Sequence, residues 1–293
     1  MNAFKYSINT NGLRKKYSPA QIVAMAKKLK VDGIEWGLPP LAEAGAAIRE
    51  MDALTRDAGL EVAGYINGGK LWKKDEMRRW ANVVSSVGGK SLRVAHPWIA
   101  WNFEESLHQK ASYHDIFKLA RDAMPAVVAL SKASGVRFLV EMHSGALTAS
   151  ALAAANLFQG LDPRRVGVIY DPANTLLEGS MRPRSEVEVL GKYLAYVHAK
   201  NLIFLFDGKF KREPVPRASW SHKLTHLPYG MVDYVEIFFA LHAAGFRGYI
   251  SSEEYFQDGD DQFEQLRDGI AFLKECAARA PARPEPPYTT FND

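Results

Sequence analysis

The sequence predicts one α/β domain of the (β/α)8 TIM-barrel class. Short apolar segments alternate eight times with stretches of helical period, and repeated βα units of this kind build a parallel sheet covered by helices. Eight units favour closure into a barrel over an open doubly wound sheet, and 293 residues suit one such barrel. No G-x-G-x-x-G turn follows the first strand-like segment, which argues against a dinucleotide-binding sheet.

The units run in order. FKYSIN (4–9) is the first strand; Ser18 as N-cap and Pro19 at the first helical position open the helix after it. VDGIEW (31–36) precedes a helix over about 41–58 that stops near Gly59. LEVAGYI (60–66) leads into an amphipathic stretch closed by Gly88 and Gly89, a plausible C-cap. KSLRVAH (90–96) is followed by a long helix over about 111–134, and VRFLVEMH (136–143) by an alanine-rich helix around 148–158. RVGVIYD (165–171) precedes one helix near 175–190. YLAYVHAKN (193–201) is separated by a long loop, 202–230, from MVDYVEIFFALHAAG, and RGYISSEEY (247–255) precedes the last helix, about 259–278. The barrel is therefore expected over 1–278. Residues 279–293 hold four prolines and are expected to be an extended tail, disordered or wrapped on a neighbouring chain, which hints at a homo-oligomer or a partner subunit. Loops as long as 202–230 inside compact domains tend to be functional.

Composition narrows the function classes. Hydrophobic residues at 47% and charged residues at 24% are the balance of an ordinary globular protein. No run approaches the roughly 18 apolar residues of a membrane span, and MNAFKYSINT has neither the basic nor the apolar part of a secretory leader. A single cysteine, Cys276, excludes an internal disulfide and suits a reducing compartment, so the expected location is cytoplasmic. A net charge of +4, spread thinly, gives no nucleic-acid stripe.

In barrels of this class the chemistry stands at the C-terminal ends of the strands. There the sequence places Glu35, Asn67, His96, Glu141 with His143, Asp171, His198 with Lys200, and Glu253 with Glu254. Side chains alternate along a strand. Leu139, Glu141 and His143 thus share a face, as do Ile169 and Asp171, and Tyr196, His198 and Lys200. Glu254 goes with Ile250, which should face the helices, so Glu253 points inward. Each of the last four strands then offers one hard ligand near one level: Glu141, Asp171, His198 and Glu253. Three carboxylates and one imidazole suit one divalent cation, Mn²⁺ first, with Mg²⁺, Co²⁺ or Zn²⁺ as other choices; no thiolate favours zinc. The surplus negative charge raises the proton affinity of a glutamate, which can then act as acid or base. A cation gripping a carbonyl and its neighbouring hydroxyl would acidify the adjacent C–H. The expected substrate is a small molecule with a carbonyl beside a hydroxyl, with no nucleic acid and no membrane as partner. His143 is read either as orienting Glu141 or as an acid–base, and Glu35, Asn67, His96, Asn174 and Lys200 as substrate-binding positions. His222 and His226 are expected to face solvent, and Trp72, Trp98 and Trp101 either to wall a sugar or to pack loops.

The stretches GIEW, VEMHSG, IYDPANT, VHAKN and GMVDYVEIFFALHAAGFRGYISSEEYF resemble the xylose isomerase-like barrel superfamily of sugar isomerases and epimerases over about 1–278. The resemblance implies one divalent metal on Glu141, Asp171, His198 and Glu253, the four obtained from side-chain alternation. It also implies proton exchange by the two glutamates, Glu141 and Glu253, on opposite faces of the substrate. Three features depart from that pattern: Asn174 stands where epimerases of the family carry a histidine, Lys200 replaces an arginine, and the 202–230 loop is long. With Glu141-x-His143, that loop is similar to the lyase branch of the family. This branch holds inosose and dehydroshikimate dehydratases and enzymes that cleave 3-keto-glycosides, where His143 would move the proton or assist the leaving group. The remote alternative within the superfamily is an apurinic-site endonuclease. It requires three metals and more histidines than this chain offers.

Overall fold

A computed structural model describes residues 4–100, 107–179, 181–211, 217–256 and 259–280. Eight parallel strands close into a barrel: β1 (Lys5–Asn9), β2 (Gly33–Gly37), β3 (Glu61–Ile66), β4 (Ser91–Arg93), β5 (Arg137–Glu141), β6 (Val166–Tyr170), β7 (Leu194–Ala199) and β10 (Tyr249–Ser252), the last pairing back onto β1. Helices α1 (Pro19–Leu29), α2 (Leu41–Asp57), α3 (Lys74–Ser85), α4 (Tyr113–Ser134), α5 (Ala151–Phe158), α6 (Pro172–Leu177), α7 (Pro183–Leu190), α8 (Tyr234–Ala243) and α9 (Gln262–Arg279) cover it. No described helix is long and apolar enough to cross a membrane.

Local chemistry sets the element ends. Ser18 and Gln21 form a capping box on α1, and Ser112 with Asp115 one on α4; each box satisfies two backbone donors at a helix start. Gly135 ends α4 at φ 72°, a left-handed conformation that costs glycine no Cβ clash.

The strands sort their side chains by alternation. Ile8, Ile34, Phe138, Val140, Val168, Tyr170, Val197 and Ile250 join the main apolar layer with the helices. Leu139, Ile169 and Tyr196 form a separate apolar cluster inside the barrel. Each of these three lies two residues before a polar strand-end residue: Glu141, Asp171 and His198. The apolar cluster therefore floors the polar mouth.

Three expectations are corrected. The 202–230 stretch is not an irregular loop: β8 (Asn201–Lys211) and β9 (Arg217–Thr225) pair antiparallel as a hairpin, followed by a short 3₁₀ turn, Leu227–Tyr229. Phe206 and Trp220 face each other across it with ring centroids 5.0 Å apart. The helix expected near 175–190 is two, because Pro183 has no N–H to donate and starts a new helix instead of continuing one. His222 is exposed as expected, but His226 is half-buried, with Nε2 2.7 Å from the Gln265 carbonyl of α9. Of the 279–293 tail, residues 281–293 lie outside the described residues.

Candidate metal centre

Four strands deliver the four predicted ligands to one place. Glu141 is the last residue of β5 and His198 the penultimate residue of β7. Asp171 follows β6 and caps α6, its carboxylate accepting the Asn174 N–H at 3.0 Å. Glu253 follows β10, its own N–H donating to the Ala199 carbonyl at 2.8 Å. All four side chains are buried, and one ligand atom from each lies within 4.8 Å of the others. Glu254 points the other way and accepts from Gln265 Nε2 at 2.9 Å.

The imidazole of His198 stands between carboxylates. Nδ1 is 3.1 Å from Glu141 Oε1 and 3.5 Å from Glu253 Oε2, and Nε2 is 2.9 Å from Glu35 Oε1. Glu35 is fully buried beside it. Its Oε1 accepts the Tyr196 hydroxyl; its Oε2 accepts Ser251 Oγ at 2.7 Å and Asn9 Nδ2 at 2.8 Å. Two fixed cations flank the group. Lys200 Nζ lies 2.7 Å from Asp171 Oδ2 and 3.3 Å from Glu253 Oε2, and Arg93 Nη2 is 2.5 Å from Glu141 Oε2. Asn174 Nδ2 donates to Asp171 Oδ2 at 2.8 Å and to the Met142 carbonyl at 3.2 Å.

Burial and these charges push the titratable groups apart. Burial favours a protonated Asp171, and Glu141 and Glu253 add to this against the pull of Lys200, so its carboxyl is raised to about 7. Burial also works against the charged form of Glu141, but Arg93, His198 and Lys200 outweigh it and hold Glu141 well below the usual carboxylate range. Glu35 is likewise lowered: burial opposes its charge, but His198 and the bonds from Tyr196 and Ser251 outweigh it. Against its own burial, His198 is raised well above an ordinary histidine by Glu35, Glu253 and Glu141.

The donor set fits a dication. Glu35, Glu141, Asp171 and Glu253 bring four negative charges, and Arg93 and Lys200 bring two fixed positive ones. Two charges stay unbalanced, which is the charge of one divalent ion when His198 is neutral. The Nδ1 edge faces the ligand carboxylates, while Glu35 holds the Nε2 edge, the arrangement by which a carboxylate orients a metal-binding histidine.

The remaining predicted residues fall around this centre. His143 Nδ1 is 2.8 Å from the Ser144 carbonyl; a carbonyl only accepts, so in the neutral ring Nδ1 carries the proton and Nε2 is the basic nitrogen. Trp98 meets the His143 ring edge-on, with centroids 4.9 Å apart. Asn67 follows β3 in the left-handed region at φ 70°, its amide donating to Asn11 Oδ1 and the Leu38 carbonyl. His96 and Trp98 line a small cavity with Asn67 and Arg93. Trp72 instead lines an apolar groove with residues of α3 and α4, and Trp101 lies outside the described residues.

Sequence reading missed Arg93, Tyr196, Asn9 and Ser251. The signal for Arg93 was available: on β4 it alternates with Leu92, which joins the outer apolar layer, so Arg93 must point inward.

The comparisons agree with this architecture. Among curated proteins none matches the chain. A 3-keto-D-glucoside 4-epimerase from E. coli is 17% identical with a TM-score of 0.70, covering 93% of this chain and 100% of its own. A D-psicose 3-epimerase from Clostridium cellulolyticum H10 is 15% identical with a TM-score of 0.71, covering 94% and 99%. A probable 3-DHS dehydratase from Bacillus anthracis is 17% identical with a TM-score of 0.69, covering 92% and 99%. Identities this low show a shared fold. The family model described as "Xylose isomerase-like TIM barrel" matches residues 23–276, so this chain, with its closed eight-stranded barrel, belongs to the xylose isomerase-like TIM-barrel family.

Proposed function

We propose that this protein is a divalent-metal-dependent enzyme that removes a proton α to a carbonyl on a small sugar or keto-sugar, as a sugar isomerase or epimerase. The observation that carries the reading is the buried convergence of Glu141, Asp171, His198 and Glu253 within 4.8 Å. These four residues would hold the ion. When bound, it supplies polarisation of the substrate carbonyl and compensates the negative charge that develops as the proton leaves. Glu253 is the ligand carboxylate with the looser hold, its Oε1 3.4 Å from Asn9 Nδ2 and its Oε2 3.3 Å from Lys200. It is therefore assigned the proton transfer. Asn174 and Lys200 fix Asp171, and Glu35 fixes His198, so all three act by orienting ligands.

One observation favours a second reading, elimination by a lyase of the same family. Arg93 pins Glu141 at 2.5 Å and keeps it ionised, which makes it a poor partner for the two-glutamate proton exchange of an epimerase. His143, whose Nε2 is the basic nitrogen, would take its place. The test is to supply Mn²⁺ with a panel of ketoses, an inosose and 3-keto-glycosides in D₂O and to follow products by mass. Unchanged constitution with deuterium taken up supports isomerisation or epimerisation, and loss of water or an aglycone supports the lyase. Chelator-treated protein that binds no divalent ion defeats both.

A further inference from the structure

Beside the metal centre, after β3 and β4, lies a cavity of about 130 Å³ whose walls include Asn67, Arg93, His96 and Trp98. His96 is only 3% exposed, yet among the described residues neither of its ring nitrogens has a hydrogen-bond partner. A buried polar atom left unmet costs about 1–3 kcal/mol. Two on one ring that helps line the cavity point to a ligand that supplies the partners. The wall is stiff: Asn67 is held in its left-handed turn by Asn11 and Leu38, so its amide is already committed. Arg93 joins the cavity to the metal centre, lining the one and pairing with Glu141 in the other.

We infer that this cavity is the subsite for a hydroxyl-bearing end of the substrate, and that His96 recognises that hydroxyl by donating one hydrogen bond and accepting another. The inference rests on the keto-sugar reading above. A neutral imidazole carries one donor and one acceptor, and so does a hydroxyl. Burial next to the Arg93 charge pushes His96 down to about 3, so the ring is neutral at any working pH. A carboxylate or phosphate brings acceptors alone and would set a lone pair against the unprotonated ring nitrogen. Arg93 Nη2 pairs with Glu141, while its buried Nε, without a hydrogen-bond partner among the described residues, offers the cavity one more donor. At roughly 30 Å³ per liquid water, the cavity of about 130 Å³ has room for about four water-sized groups, enough for a hydroxymethyl arm. The substrate class is thus a polyhydroxylated carbonyl compound with a hydroxyl at this end.

The test is calorimetric binding to Mg²⁺-loaded protein of D-fructose, D-tagatose, an inosose and a 3-keto-glucoside, then of the monodeoxy analogues of the tightest binder. In wild type, loss of one particular hydroxyl weakens binding about tenfold or more. His96→Leu weakens the parent sugar similarly and no longer distinguishes that analogue. His96→Asn, which keeps a donor and an acceptor, recovers part of the difference, and both variants bind Mg²⁺ as wild type does. If wild type is indifferent to every deoxy analogue, or His96→Leu keeps the same discrimination, the cavity holds ordered water only and the inference is overturned. If wild type binds no sugar of the panel, the keto-sugar reading itself fails and takes the subsite with it.

Discussion

Loading the metal-free protein with a divalent cation should expel protons, and the site sets how many. Both nitrogens of His198 face carboxylate oxygens, at 3.1 Å and 2.9 Å, and carboxylates only accept, so without metal the ring carries two protons. One must leave for Nδ1 to become a ligand. Asp171, raised to about 7, is half protonated at neutral pH and must also ionise. Metal binding should therefore release between one and two protons near neutral pH, closer to two at lower pH and closer to one at higher pH. The assay is isothermal titration with Mn²⁺ in buffers of different ionisation enthalpy, where the slope of observed against buffer enthalpy counts protons. Release near zero, or release that grows with pH, would refute the assignment of the missing charge to His198 and Asp171.

The remaining predictions concern neighbouring groups. Arg93→Met removes one of the three cations around the buried Glu141 carboxylate, so urea unfolding of the chelator-treated variant should show a loss of about 3 kcal/mol; unchanged stability would mean the pair carries no weight. His143→Ala should keep Mn²⁺ affinity while turnover falls by about 10²–10⁴; loss of metal instead would reduce His143 to a support for Glu141. Glu186 is buried and accepts the Tyr170 hydroxyl at 2.5 Å, and burial raises its carboxyl from 4.5 to about 7. Its folded state therefore favours the proton: stability is full below 4.5 and falls by about 3 kcal/mol as pH rises through 7. Glu186→Gln should gain stability over wild type between pH 5 and 8 in urea melts, and a difference independent of pH would contradict this.

Much of this was legible in the sequence because two periods are independent of tertiary context. The alternation of short apolar runs with helical stretches needed only counting, and Glu253 could be separated from Glu254 because Ile250 had to face the helices. The same rule, applied to β4, gives Arg93; reading that strand only at its polar end favoured His96 instead. The hairpin was hidden because its pairing, Phe204 with His222 and Phe206 with Trp220, is made between segments that are each irregular alone. Glu35 shows a different limit. Its place at a strand end was readable, but its four protein contacts, from Tyr196, His198, Ser251 and Asn9, come from three other strands and exist only once the barrel closes.

The departures from the epimerase pattern become coherent as charge arithmetic. Asn174 is neutral where the family's epimerases carry a histidine, and its amide is used up on Asp171 and the Met142 carbonyl. Lys200 adds a fixed positive charge 2.7 Å from Asp171. Together with Arg93 it reduces the deficit of four carboxylates to two charges, enough for one dication. A second dication would leave the buried centre with two positive charges in excess and few oxygen ligands, at a large desolvation cost. The residues that depart from the epimerase pattern are thus the ones whose charges would suit one dication and not two. On the proposed single-metal reading, an ionised, arginine-bound Glu141 would need a second proton carrier beyond the ligands, and His143 would be the one to test first.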